Sequence, residues 1–252
     1  MRVEFNIEEL NSMRKYPDEL YYRGKFELLS FPKVSIVGTR RPMNYTKKVV
    51  ALLSRSLSDR GVCIVSGGAM GVDAMAHKNA KYTTAVLANG TDIRYPKVNS
   101  SLLERIEKEG LLLSQFENGF RATPWSFVVR NELVVALGEV LVVAEADEDS
   151  GSMRSVEFAL EMKKEIYVFP HRIGDSNGTN RLLKDGLAKP IYDIEKFANR
   201  FGASKVEEGD ELLDFCKECS SFDEVYKRFG DRVYEYELEG KIRIENLVVT
   251  IL

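Results

Sequence analysis

The sequence is poor in the residues that carry cross-links and most acid–base catalysis, with 3 Cys, 2 His and 1 Trp among 252 residues. Three thiols cannot supply a disulfide framework. Cys63 sits inside the apolar run 62–65 and is expected to behave as a small core hydrophobe. The CxxC pair Cys216 and Cys219 has no second Cys/His pair to close a four-ligand zinc site, because His77 and His171 lie far upstream. No apolar run approaches the roughly 20 residues of a membrane span, and the opening MRVEFNIEEL has no apolar stretch of the signal-peptide kind. A cytoplasmic protein without membrane contact is therefore expected. There is no GxxxxGK[ST] and no GxSxG, which excludes a P-loop and a nucleophile elbow. His77 is expected in the core or on a helix surface rather than at a reaction centre, and His171 follows Pro170 with nothing specific around it. No catalytic constellation, metal or cofactor is expected.

What remains is an ordinary globular composition, 44% hydrophobic and 30% charged, without internal repeats or low-complexity tracts. The net charge of −3 is unevenly spread: residues 203–252 hold 7 basic and 13 acidic side chains, leaving 1–202 mildly basic. A nucleic-acid partner for the body is compatible with that balance but is not demonstrated by it. From Lys33 onward, short apolar runs at 34–37, 62–65, 84–88, 111–113, 140–144 and 166–169, most of them rich in β-branched residues, alternate with helical patterns at 44–60, 99–108, 125–137 and 152–163. Alternation of this kind predicts an α/β fold with a doubly wound, mostly parallel sheet covered on both faces. Asn44 is the expected cap of the first of these helices, and Gly61 its terminator. Residues 1–32 are polar and aromatic and predict a short helical lead-in packed on the body. Residues 203–210 read as a linker, and 211–252 as two or three short helices followed by an apolar strand at 247–252, the order of a small winged-helix-like domain.

In an open α/β sheet, ligands bind at the carboxyl ends of the strands, and four loops there draw attention. Gly38-Thr39-Arg40-Arg41-Pro42 places amides and two guanidinium groups where an anion such as phosphate would sit, although the same residues also suit a tight turn with solvated arginines. Ser66-Gly67-Gly68-Ala69-Met70-Gly71 offers glycines for close approach and amides for an anion nest. It is not a dinucleotide fingerprint, because Gly38 is alone in the first turn and the second strand ends at Ser66 rather than at an acid. Phe127, Arg130 and Asn131 share a helix face and could stack on and hydrogen-bond a base, or simply pack and meet solvent. Asp147-Glu148-Asp149 is expected to be solvated, while Ser150-Gly151-Ser152 presents amides and hydroxyls at a helix start.

Together, VSIVGTRRP (34–42), IVSGGAMGVDAMAH (64–77), SFVVRNELVVALG (126–138), EADEDSGSM (145–153) and GTN (178–180) resemble the DNA processing protein A (DprA, or Smf) family from about Pro32 to Lys189. A weaker likeness at 229–242 points to the winged-helix domain of some members. The resemblance implies an extended Rossmann-like fold that dimerises, binds single-stranded DNA and loads the recombinase RecA onto it during natural transformation, with no enzymatic reaction. Carried over residue by residue, it implies a DNA pocket lined by Arg40, Ser66, Gly67, Gly68, Phe127, Arg130, Asn131, Gly151 and Ser152. The loop 120–125 lacks the lysine some members place before the aromatic, and Arg121 is the expected substitute. The acidic balance of the tail opposes strong duplex binding there and equally fits a protein contact. Two other classes remain open. Nucleotide phosphoribohydrolases share an SGG loop, but their PGGxGTxxE signature is missing from EADEDSGSMRSVEFAL, where Glu157 is the nearest stand-in for the catalytic acid. The other is a sensor holding a free nucleotide in the same pocket.

Overall fold

Each short apolar run forms a strand whose buried backbone groups are satisfied by pairing with its neighbours in the sheet. The computed structural model describes residues 1–204 and 210–252, so 205–209 of the expected linker lie outside the described residues. The described chain forms two units, Met1–Ala203 and Ser204–Leu252. The first runs β1 (Tyr21–Gly24), β2 (Lys33–Val37), α1 (Asn44–Ser58), β3 (Cys63–Ser66), α2 (Val72–Asn79), β4 (Thr83–Leu87), α3 (Ser100–Glu109) and β5 (Leu111–Ser114). It continues with α4 (Pro124–Leu137), β6 (Val140–Val143), α5 (Gly151–Glu161), β7 (Ile166–Val168), α6 (Asn177–Lys184), β8 (Lys189–Pro190) and α7 (Ile194–Ala198).

The strands form one sheet in the order β1-β5-β4-β3-β2-β6-β7-β8, parallel except for the antiparallel β1–β5 pair. Successive strands run outward from β2 to β5 on one side and from β6 to β8 on the other, so the order reverses between β2 and β6, where a ligand crevice is expected to open. Within these apolar strands the side chains still alternate. Val34 and Ile36 join Ile64, Val140 and Val142 under α1, α2 and α7, whereas Val37, Val65, Leu141 and Val143 join the other face with α4, α5 and the N-terminal segment.

The helical lead-in takes the form of two 3₁₀ turns, Glu8–Ser12 and Phe26–Ser30, and it also contributes an edge strand the sequence reading did not foresee. Tyr21 to Gly24 is too short and too polar to signal a strand by itself, and it becomes one only because the edge of β5 offers unpaired backbone groups. The lead-in is tied down at Lys33, whose buried ammonium donates to the carbonyls of Leu29 (2.6 Å) and Phe31 (2.8 Å) and pairs with Glu9 at 2.6 Å. Asn44 does not cap α1. It is the helix's first residue, and the preceding Met43 amide donates instead to the buried carboxylate of Glu145 at 2.9 Å.

The second unit contains α8 (Glu211–Glu218), α9 (Phe222–Phe229), α10 (Arg232–Leu238) and a hairpin of β9 (Ile242–Glu245) with β10 (Val248–Ile251). Leu212, Cys216, Val225, Val233, Ile242 and Val249 form its small core. The second arm follows the apolar run expected at 247–252, whereas Ile242-Arg243-Ile244-Glu245 carries the strand signal only as a four-residue alternation of apolar and charged side chains, too short to stand out beside the helix before it. Asn246 and Leu247 turn the hairpin with φ of 53° and 61°, as a type I′ turn requires. Cys216 lies in that core and the Cys219 thiol donates to Glu224 at 2.8 Å.

Candidate nucleic-acid interface

A cavity of about 500 Å³ opens at the reversal point of the sheet. Its walls come from the β2–α1 loop (Gly38, Thr39, Arg40), the β3–α2 loop (Gly67, Ala69), the first turn of α2 (Asp73), α4 (Phe127, Val128, Arg130, Asn131) and the start of α5 (Ser150, Gly151, Ser152, Arg154). Gly68 does not line this cavity but a smaller neighbouring recess, shared with Tyr95, Pro96 and Phe127. The four loops thus converge, as expected from strand ends. Besides Gly68, two expected residues are placed differently. Ser66 is fully buried, its hydroxyl donating to the Ile36 carbonyl at 2.6 Å, and Arg121 is exposed on the loop before α4 and does not line the cavity.

The glycine loop serves the protein before it serves a ligand. A carboxylate oxygen of Asp73 accepts the amides of Gly67 (3.1 Å) and Ala69 (3.3 Å), so the nest expected to face an external anion already holds an internal one. The absence of side chains has internal causes too. A Cβ on Gly67 would lie 1.2 Å from the Arg130 guanidinium, and one on Gly71, at φ 79°, would lie 2.3 Å from the Thr39 carbonyl. These contacts, and not the approach of a ligand, account for glycine at both positions.

Arg130 is correspondingly buried, at 6% side-chain exposure, 3.7 Å from Asp73, with Nη1 reaching the Val86 carbonyl at 3.5 Å and Nε without a partner among the described residues. Burial pushes its pKa down and the Asp73 charge counteracts this; burial likewise pushes Asp73 up, opposed by Arg130 and the loop amides. Arg40 is exposed by contrast. Both guanidinium groups lie 5.8 Å from the centre of the Phe127 ring, and Tyr95 packs on that ring at 6.0 Å. The cavity therefore combines one buried and one exposed cation, an accessible ring, and polar groups from the first turn of α5.

Asp73 and Arg154 line the cavity, and Tyr95 lines the neighbouring recess, without having been singled out from the sequence. An acid in the first turn after a glycine loop is a readable signal for Asp73; Tyr95 and Arg154 arrive through the fold alone. His77 is fully buried, with Nδ1 2.7 Å from the Thr83 hydroxyl, and burial together with Arg105 and Arg130 pushes its pKa down to about 3. His171 bridges the Thr46 hydroxyl and the Phe169 carbonyl. Glu157, the stand-in for a hydrolase acid, is exposed, pairs with Arg154 at 2.7 Å, and is not part of the cavity wall.

The fold and site define an α/β protein with a cationic, aromatic crevice at its topological switch point. Residues 6–202 match the family model of DNA recombination-mediator protein A, and the chain belongs to that family. Among its relatives, DNA processing protein DprA of Streptococcus pneumoniae is 35% identical over 184 residues, 71% of this chain, and that of Bacillus subtilis is 35% identical over 193 residues, 74% of this chain. Each match spans 65% of the relative's length. A structure describing the single-stranded DNA binding mode of DNA processing protein A from Helicobacter pylori superposes with a TM-score of 0.78 at 39% identity, covering 79% of this chain and 94% of that one. The X-ray structure of the S. pneumoniae protein gives 0.72 at 33% identity, covering 77% and 70%. No helix among the described residues is long and apolar enough to cross a membrane.

Proposed function

We propose that this recombination mediator binds single-stranded DNA in the cavity at the sheet's reversal point and, as a cytoplasmic homodimer, delivers it to a RecA recombinase during natural transformation. The observation that carries the reading is the pairing of an exposed guanidinium, Arg40, with the accessible ring of Phe127 on the wall of one open cavity. Phosphate needs the first and an unstacked base the second. The Helicobacter relative supports the ligand class. The Asp73-filled nest modifies the expected mode. Phosphate contacts fall to Arg40 and to the Ser150–Ser152 turn, with Arg130 acting as a fixed positive charge behind Phe127. Such contacts are indifferent to base identity and weaken with salt. The acidic second unit, outside the family match, is assigned to a protein contact and not to duplex DNA.

Fluorescence anisotropy of labelled oligo-dT and of a matched duplex, each at low and high salt, tests the reading. Tight, salt-weakened single-strand binding with poor duplex binding is expected. Absence of single-strand binding overturns it, and release of adenine from AMP would then favour the hydrolase class.

A further inference from the structure

Outside the cavity, a cluster of three aromatic rings lies on the β5–α4 segment. Phe116 and Phe120 stack at 4.4 Å with 10° between their planes, and Trp125 meets Phe116 edge-on at 5.8 Å. Trp125 is the chain's single tryptophan and is 63% exposed, an uncommon state for so large an apolar ring. Its place on the helix is set firmly. The Thr123–Ser126 capping box and Pro124 hold the first turn of α4, so Trp125 projects from a rigid element. One turn further along the same face lies Val128, itself 42% exposed, which forms part of the cavity wall. The aromatic surface is thus continuous with the cavity through the Trp125–Val128 edge of α4. Arg121, exposed on the same loop, belongs to none of the ion pairs among the described residues.

Resting on the single-strand reading above, we infer that Trp125, backed by the stacked Phe116–Phe120 pair, is a second base-stacking platform that takes the nucleotides leaving the cavity, with Arg121 at their phosphates. A strand crossing Val128 meets a flat, solvent-facing ring on a rigid helix turn, and every base has a face to stack on it. Glu117 lies on the same loop as Arg121, so the platform adds little net charge and its contribution is stacking more than counterion release.

The single tryptophan makes the test direct. The full chain is titrated with labelled oligo-dT of about 4 and about 12 nucleotides, which bracket a cavity-only and a longer footprint, while anisotropy and tryptophan emission are followed together. The longer oligonucleotide is expected to quench Trp125 and the shorter one to bind without quenching. Trp125→Ala is expected to weaken the longer oligonucleotide roughly tenfold with an unchanged salt slope and to leave the shorter one unaffected, and Trp125→Phe to restore most of the loss. An anisotropy rise with no quenching, and equal affinities for wild type and Trp125→Ala, overturns the platform while leaving the cavity reading intact. No anisotropy rise at either length overturns both. A change in sedimentation on Trp125→Ala, with DNA affinity unaltered, assigns the surface to a protein contact and overturns the inference.

Discussion

Arg40 and Arg130 present the same group to the cavity in opposite states, one exposed and free to follow a phosphate, the other buried against Asp73. Replacing Arg40 with alanine should therefore weaken single-strand binding and reduce the slope of log affinity against log salt by about one, without changing stability; an unaltered slope would remove Arg40 from the phosphate path. Phe127→Ala should cost about 1 to 3 kcal/mol of binding free energy, read by the same titration at fixed salt. Because Arg40 also packs on that ring, the two losses should not add, and a double variant as weak as the sum of both would argue against a shared site.

His77 belongs to stability. Its ring stays neutral in the fold down to about pH 3 but takes up a proton near 6.5 when unfolded, so between those values the unfolded chain binds more protons. The fold consequently loses stability as pH falls below 6.5, by about 1.4 kcal/mol per unit from this residue alone. Urea melts at pH 6.5 and pH 5 should show a shallower dependence for His77→Gln than for wild type. Parallel dependences would refute the assignment.

Among the elements, the glycine loop is one interlocked piece. Gly67 leaves room for the Arg130 guanidinium, Asp73 holds the loop amides and faces that guanidinium, and Gly71 lets the loop pass the Thr39–Arg40 backbone. Gly67→Ala should destabilise by about 1 to 3 kcal/mol through overpacking. The same change made in an Arg130→Leu background should cost measurably less, since the displaced group is gone. Equal costs in the two backgrounds, from denaturant melts, would show that the loop's conformation and not Arg130 demands glycine. The lead-in shows a second element-level effect: β1 exists because β5 presents an edge and Lys33 ties down the preceding turns.

For the whole molecule, the division of charge is the main feature. The body is mildly basic and residues 203–252 carry 13 acids against 7 bases. A chain ending at residue 204 should therefore keep its single-strand affinity within about twofold, because repulsion between the acidic tail and a polyanion is removed and no cavity residue is lost. A tenfold loss would place DNA contacts in the second unit. Equilibrium sedimentation of the full chain tests the proposed homodimer, with a monomer at micromolar concentration as the refuting result.

The six core strands, the helices α1, α3, α4 and α5, and the meeting of four loops follow from the chain's own pattern, because each depends on local periodicity or on the rule that strand ends meet at a switch point. Phe127, Asn131, Gly151 and Ser152 were legible on those grounds and line the cavity. Which amides are free depends on packing between distant parts of the chain. Asp73 is six residues from Gly67 and turns back on it, Arg130 reaches the same loop from a distant helix, and Ser66 faces inward although it ends a strand. The edge strand β1 and the contact of Tyr95 with Phe127 are of the same kind. Such features arise from groups far apart in the chain competing for one buried donor, one edge or one space, and local pattern carries no record of that competition.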